Sequence, residues 1–200
     1  YCPERVIPGN TINEMIHNNR VIGGINQDSI YKAKKFYECF CKGEIITTNA
    51  KTAEMVKLTE NAFRDVNIAF ANELSMICDD LKIDTDELID IANYHPRVNI
   101  LKPGCGVGGH CIAIDPWFIA AKFPNKSKLI QTARKVNNEK TRWVISKLKE
   151  EIIKLEKKLS KRPIIGCLGL SFKPNIDDLR ESPALFITNE LIKSGYKILS

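Results

Sequence analysis

The apolar positions of this chain change period several times, and each change marks a new element. A short helix over about 10–17 leads to the apolar run VIGGI, which predicts a strand. Residues 27–41 read as a helix with Ile30, Ala33, Phe36, Tyr37 and Phe40 on one side, and EIITT (44–48) reads as a second strand. Strand, helix, strand in that order predicts the end of an α/β domain with a parallel sheet. From about 50 to 81 the pattern becomes that of one long helix, with Val56, Phe63, Val66, Phe70, Leu74, Ile77 and Leu81 at helical spacings. At the usual rise it spans about 45 Å, a length that often bridges domains. Asp84 is placed to cap a helix over about 85–94. Further helices are predicted over about 115–123 and 127–160. Pro163 then introduces the apolar strand IIGCLGL, followed by a helix (183–194) and the start of a strand (196–199), which opens a second α/β domain. The expected fold class is therefore α/β with a helical middle, divided as 1–49, 50–160 and 161–200.

Composition narrows this picture. Of the 200 residues, 44% are hydrophobic and 27% charged, which fits a packed core and argues against disorder. The net charge of +6 is spread along the chain, and its densest region, Lys147 to Arg162, reads as a solvated helix face. No basic run interleaved with aromatics points to nucleic acid. The seven cysteines form no C-x-x-C pair and only three histidines are present, so zinc spacing is absent and a reducing cytoplasm fits best. No apolar stretch reaches membrane-spanning length and no signal peptide opens the chain. Both ends read as cuts through a longer protein, since Tyr1 is not Met and YKILS stops inside an expected strand.

Three stretches carry candidate chemistry. PGCGVGGHC (103–111) contains G-x-G-x-x-G at Gly104, Gly106 and Gly109, but Pro103 stands where a central strand would be ending. The run is a dinucleotide fingerprint, a plain glycine-rich loop, or a loop that closes on a ligand and delivers Cys111. A cysteine at a loop–helix junction feels the helix N-terminus, which favours thiolate, although buried cysteine is common packing. KLTENAFR sets Lys57, Asn61 and Arg64 on one helix face, with Glu54 and Asn72 near the same stripe. This is either a solvated polar face or one that meets a ligand; asparagines are poor choices for a helix interior that only faces water. GCLGLSFKPNIDDLRESPA follows a strand and gathers Lys173, Asp177, Asp178, Arg180 and Glu181 before a helix. It is either a polar connecting loop or an anion-binding one, with Arg180 suited to phosphate.

Taken together, CPERVIPG, KLTENAFRDVNIAFANE, GCGVGGHCIAID and LGLSFKPNIDDLRES resemble the nucleotide-sugar 6-dehydrogenase family, which includes the UDP-glucose dehydrogenases. The four blocks occur in the family's order and cover nearly the whole chain. HPRVNI, GGHCIAIDPWFIA and KLIQTARKVNNEK look most like members acting on UDP-N-acetyl-D-mannosamine. UDP-glucose enzymes typically carry phenylalanine and lysine where this chain has Ile112 and Ile114. The alternatives are a sister enzyme acting on UDP-N-acetylglucosamine or UDP-glucose, and a non-catalytic helical dimerisation module.

The resemblance implies a Rossmann-like NAD-binding domain ending near 49, a helical dimerisation domain and the start of a Rossmann-like UDP-binding domain. It implies a four-electron oxidation of a UDP-sugar alcohol to a carboxylate, reducing two NAD, with a cysteine carrying thiohemiacetal and thioester intermediates. Residue by residue, it makes Cys111 the nucleophile and Lys57 a proton-transfer or oxyanion-stabilising group. Asn61 becomes a second oxyanion or water-orienting donor. Asp115 is assigned to proton relay; it falls four residues after Cys111, and a helix starting there would place both on one side. Glu4 matches the glutamate near the hydrolytic water, while a second glutamate of UDP-glucose enzymes is replaced by Pro8. Arg5 and Val6 are implied at the sugar end, with Arg64 extending the Lys57–Asn61 face toward it. Arg97, with His95 near it, resembles the arginine that reaches the neighbouring subunit's substrate. Gly108 offers an amide to the sugar, Phe172 and Lys173 resemble diphosphate contacts, and Arg180 resembles the arginine touching NAD. His110 either tunes Cys111 or is a structural ring. The implied partners are a UDP-sugar and a second copy of the chain, with no metal, no nucleic acid and no membrane. On this basis the literal G-x-G-x-x-G is a coincidence, and the true fingerprint belongs to an N-terminal domain outside the chain.

Overall fold

The computed structural model describes residues 1–7 and 9–200; Pro8, set above against a family glutamate, lies outside the described residues. The chain forms two compact units, Tyr1–Glu60 and Asn61–Ser200.

In the first unit, α1 (Thr11–His17) precedes the parallel pair β1 (Arg20–Gly24) and β2 (Ile45–Asn49), in register from Arg20 opposite Ile45 to Gly24 opposite Asn49. Parallel strands need a crossover, and α2 (Gln27–Glu38) supplies it. The helix starts where expected because Asn26 and Ser29 form a reciprocal capping box. Val21 and Ile22 are buried beneath it. The predicted apolar side of α2 is only half-buried, and Phe36 is exposed.

Helix α3 (Ala50–Leu81) runs from the first unit into the second. Asp84 caps α4 (Thr85–Ala92) by accepting a hydrogen bond from the Glu87 amide. Next come α5 (Asp115–Lys122), α6 (Lys128–Leu159), β3 (Ile164–Gly166), α7 (Pro183–Lys193) and β4 (Lys197–Leu199), with β3 and β4 parallel. Ile145 and Ile152 of α6 meet Ile187 and Leu191 of α7 in one apolar cluster. The strand expected across IIGCLGL ends at Gly166, and Leu168 stands fully in solvent.

The long helix departs from its apolar pattern. Phe63, Phe70, Ile77 and Leu81 are exposed, and the buried face is made of Ala62, Asp65, Ala69, Asn72, Ser75 and Cys78. That face is held by polar contacts with α6. Arg134 donates to Asp65 at 2.6 Å, Asn137 donates to Asp65 at 2.7 Å, Asn72 donates to Asn137 at 2.9 Å, and Lys140 donates to Ser75 at 2.7 Å. Burial raises the Asp65 carboxyl above the ordinary aspartate range, against the opposing pull of Arg134 and Asn137. Burial likewise lowers the Lys140 ammonium. Buried charges are tolerated only when paired, and these side chains pair across the two helices.

Candidate active site

The glycine run is a loop from Lys102 to His110, with neither a strand before it nor a helix inside it. Its start is fixed by the polar face just described: the Gly104 amide donates to Asn72 at 2.8 Å, and the Thr141 hydroxyl donates to the Cys105 carbonyl at 2.7 Å. Asn72 is thus a structural tie between helix and loop, which answers why an asparagine sits mid-helix there. Gly106 has φ +130, and a Cβ on it would run into the Thr141 hydroxyl. Gly109 has φ +86 with the Phe172 ring 2.8 Å from where a Cβ would be. Both positions therefore require glycine for conformation and for space.

The far end of the loop packs against the segment before α7. A Cβ on Gly108 would meet the Glu181 carbonyl at 2.5 Å and Phe172 at 2.7 Å. The Gly109 amide donates to the Arg180 carbonyl at 2.9 Å. Two of the sequence-predicted stretches are thereby brought together. Lys173 lies 5.7 Å above the Phe172 ring. Asp178 joins the two loops through its side chain. It accepts hydrogen bonds from the Arg180 side chain at 2.6 to 3.1 Å and from the Arg180 backbone amide at 2.9 Å. This guanidinium holds the Asp178 carboxyl down at about 2. His110 Nδ1 stands 3.7 Å from the same carboxylate.

Cys111 is half-buried and lies in the turn before α5; the helix itself begins at Asp115. The four-residue spacing still closes like a helical turn, because the Asp115 amide donates to the Cys111 carbonyl at 2.8 Å and the Ile114 amide donates to it at 3.0 Å. Asp115 then meets the third stretch. Asn61 Nδ2 donates to Asp115 Oδ2 at 2.5 Å, and Asn61 is buried. An amide nitrogen has two hydrogens, so this bond leaves Asn61 a second donor. Arg64 is exposed on α3. His95 and Arg97 are exposed after α4, where the Arg97 amide donates to His95 Nδ1 at 3.3 Å. Lys102 pairs with both Asp86 and Asp90 at 3.0 Å.

The first unit holds the remaining predicted residues. Lys57 is half-buried on α3. Glu4 pairs with the buried Arg20 at 2.5 Å, and the Arg5 guanidinium binds both carboxylate oxygens of Glu60. Val6 is half-buried beside them in sequence. Beyond the carboxyl ends of β1 and β2 lies a hollow of about 570 Å³, lined by Gly24, Asn26, Gln27, Thr47, Thr48 and Asn49 among others. Such ends are where parallel sheets take their ligands. The lining is neutral, with Ile25 and Ile30 beside the amide and hydroxyl side chains, and offers no cation for a phosphate. Among the described residues no His, Cys, Asp and Glu cluster suits a metal ion, and no helix is long and apolar enough to cross a membrane.

Residues 51–139 match the central domain of the UDP-glucose/GDP-mannose dehydrogenase family, and residues 166–200 match its UDP binding domain. The chain is 59% identical over 191 residues to the UDP-N-acetyl-D-mannosamine dehydrogenase of Campylobacter jejuni, covering 96% of this chain and 46% of that protein. It is 55% identical over 193 residues to the NDP-N-acetyl-D-galactosaminuronic acid dehydrogenase of Ralstonia solanacearum, covering 96% and 44%. The solved structure of UDP-D-ManNAc dehydrogenase from Pyrococcus horikoshii superposes with a TM-score of 0.87 at 42% identity, covering 98% of this chain and 47% of that one. The chain thus spans about half the length of the curated relatives it matches.

Proposed function

This chain belongs to the UDP-glucose/GDP-mannose dehydrogenase family, and from that premise we propose that it is part of a cytoplasmic enzyme that oxidises UDP-N-acetyl-D-mannosamine to UDP-N-acetyl-D-mannosaminuronate with NAD. The observation that carries this reading is the Asn61–Asp115 hydrogen bond at 2.5 Å. It joins the KLTENAFR helix to the turn that presents Cys111, which is the meeting of parts that aldehyde capture and acyl hydrolysis require.

NAD, when bound, supplies the hydride acceptor for each of the two oxidations. The residues lining the hollow beyond Gly24 and Asn49 are fitted to hold its uncharged part. The chain's own groups do the rest. The Cys111 thiolate adds to the aldehyde carbon, forming a C–S bond while the carbonyl oxygen takes up the negative charge. Lys57 and the second hydrogen of Asn61 are the donors for that oxygen, and its protonation gives the thiohemiacetal. Once the carbon has reached the thioester level, water attacks it, the C–S bond breaks, and the carboxylate and the thiol are released. Asp115 takes the proton moved in these steps, and Glu4 stands by the water. Cysteine suits both halves because its sulfur attacks readily and also leaves. Arg5, Val6, Arg64 and Gly108 serve the sugar, Phe172 and Lys173 the diphosphate, and Arg180 the cofactor. His95 and Arg97 serve the neighbouring subunit's substrate.

Ile112 and Ile114 stand where UDP-glucose enzymes typically carry phenylalanine and lysine, and that departure supports an N-acetylated sugar as the substrate. Initial rates of NADH formation by the full-length protein on UDP-N-acetyl-D-mannosamine, UDP-N-acetylglucosamine and UDP-glucose test the substrate. We expect the first to be preferred by about 10-fold or more in kcat/KM; a preference for UDP-glucose overturns the assignment.

The exposed Phe63, Phe70 and Ile77 recur every seven residues along one side of α3, and a second copy of the chain is the proposed cover. The 200-residue chain by itself is expected to sediment as a dimer and to form no NADH, since the β1–β2 hollow lacks the charged cradle for a pyrophosphate. Sedimentation as a monomer removes the dimer, and steady NADH formation removes the second half of the prediction.

A further inference from the structure

The carboxylate of Asp178 lies where the nucleophile loop and the loop before α7 are stitched together. On one side it grips Arg180 through the side chain and the backbone amide. On the other it faces His110, the neighbour of Cys111 in the chain, at 3.7 Å. The backbone ties the same two segments through the Gly109 amide on the Arg180 carbonyl at 2.9 Å, and the loop before α7 is closed on itself by the Phe172 amide on the Asp178 carbonyl at 3.2 Å. Gly108 and Gly109 leave no room between the loops. The Asp178 side chain is only 20% exposed, whereas that of Arg180 is 62% exposed. The carboxylate it grips is the main restraint on a guanidinium so exposed.

We propose that Asp178 is a positioning residue for the thiol step: it clamps Arg180 against the nucleophile loop so that the guanidinium holds positive charge beside Cys111. This rests on the reading of Cys111 as the nucleophile and deepens it. The charged form of Arg180 is favoured by Asp178 first and by Cys111 as well, so the two groups feel one another's field. A fixed cation next to a thiol favours the thiolate, which is the form that attacks. The ionisable and charged groups on the two packed segments are Lys102, Cys105, His110 and Cys111 on one, and Lys173, Asp177, Asp178, Arg180 and Glu181 on the other, and Asp115 opens α5 with its amide on the Cys111 carbonyl.

The test is the pH dependence of Cys111 alkylation by iodoacetamide in the full-length protein, followed at the Cys111 peptide by mass spectrometry because these 200 residues alone hold six other cysteines. Arg180→Gln is expected to raise the pH midpoint by about one unit, which slows alkylation below the midpoint about 10-fold. Asp178→Asn is expected to shift it the same way by releasing the guanidinium to solvent, and Asp178→Glu to restore part of the shift. Unmoved midpoints in Arg180→Gln overturn the proposal. So does a downward shift in Asp178→Asn, which would make the aspartate a mere opposing charge. Should Asp178→Asn fail to fold, Arg180→Gln and Asp178→Glu decide. Alkylation is read without turnover, so its outcome is separate from that of the enzymatic reading, which acid production tests.

Discussion

Replacing Cys111 with serine in the full-length enzyme is expected to lower carboxylate formation by on the order of 1,000-fold or more while leaving measurable oxidation of the alcohol. A serine hydroxyl at neutral pH is almost wholly protonated, so it adds poorly to an aldehyde, and an alkoxide is a far worse leaving group than a thiolate. In the proposed mechanism the first oxidation does not involve the sulfur. The variant should therefore release or retain an aldehyde, and the ratio of NADH formed to sugar consumed should fall from two toward one. Chromatography of the UDP-sugar products against NADH absorbance reads this directly. An unchanged yield of the uronate removes Cys111 from the mechanism. The surroundings make the expectation specific: Cys111 is half-buried in a turn whose carbonyl binds two amides, so a serine of nearly the same shape keeps the local fold.

The second large effect is expected at Lys57. Lys57→Ala should reduce turnover on the order of 100-fold or more, the loss of one charged donor to a developing oxyanion or of one proton-transfer group. That corresponds to about 2.7 kcal/mol of barrier at about 1.4 kcal/mol per tenfold. The fall should be in kcat with little change in KM, because the interaction belongs to the transition state rather than to the bound sugar. The substitution should not unfold the protein, because alanine is a good helix former and Lys57 lies within the 32-residue α3. Wild-type turnover in this variant would return the KLTENAFR stripe to an ordinary solvated face.

The contrast between α3 and its own sequence shows where pattern reading stops. Periodicity placed a helix over 50–81, and the structure has one at Ala50–Leu81. The same periodicity singles out Phe63, Phe70 and Ile77, yet these are exposed while Asp65, Asn72 and Ser75 are buried. Hydrophobicity assigns the core face only when apolar burial is what joins the elements, and here α3 meets α6 through Asp65, Arg134 and Asn137 instead. A sequence does hold one trace of this. Asn72 and Asn137 sit inside long helices, where asparagine is a weak choice unless its amide has a partner.

Asp178 illustrates a second limit. In sequence it is one charge among five near a helix start. Only folding shows that this carboxylate faces both Arg180 and His110, 68 residues from the latter in the chain. The glycine run was similar: its letters spell a dinucleotide fingerprint, but Gly106 and Gly109 are required by Thr141 and Phe172, residues far away in sequence.

Local chemistry, then, was settled by the order of residues. Helix limits, the cap at Asp84, the parallel strand pairs and the family motifs all depend on neighbours a few positions apart, where sterics and hydrogen bonding act within one turn or one crossover. The tertiary structure alone decided which face of α3 is buried, which glycines have no room for a side chain, and which carboxylate stands by the Cys111 loop. Those choices depend on distances between segments 30 to 70 residues apart, such as Gly104 to Asn72 and His110 to Asp178, and chain packing is the only thing that sets them.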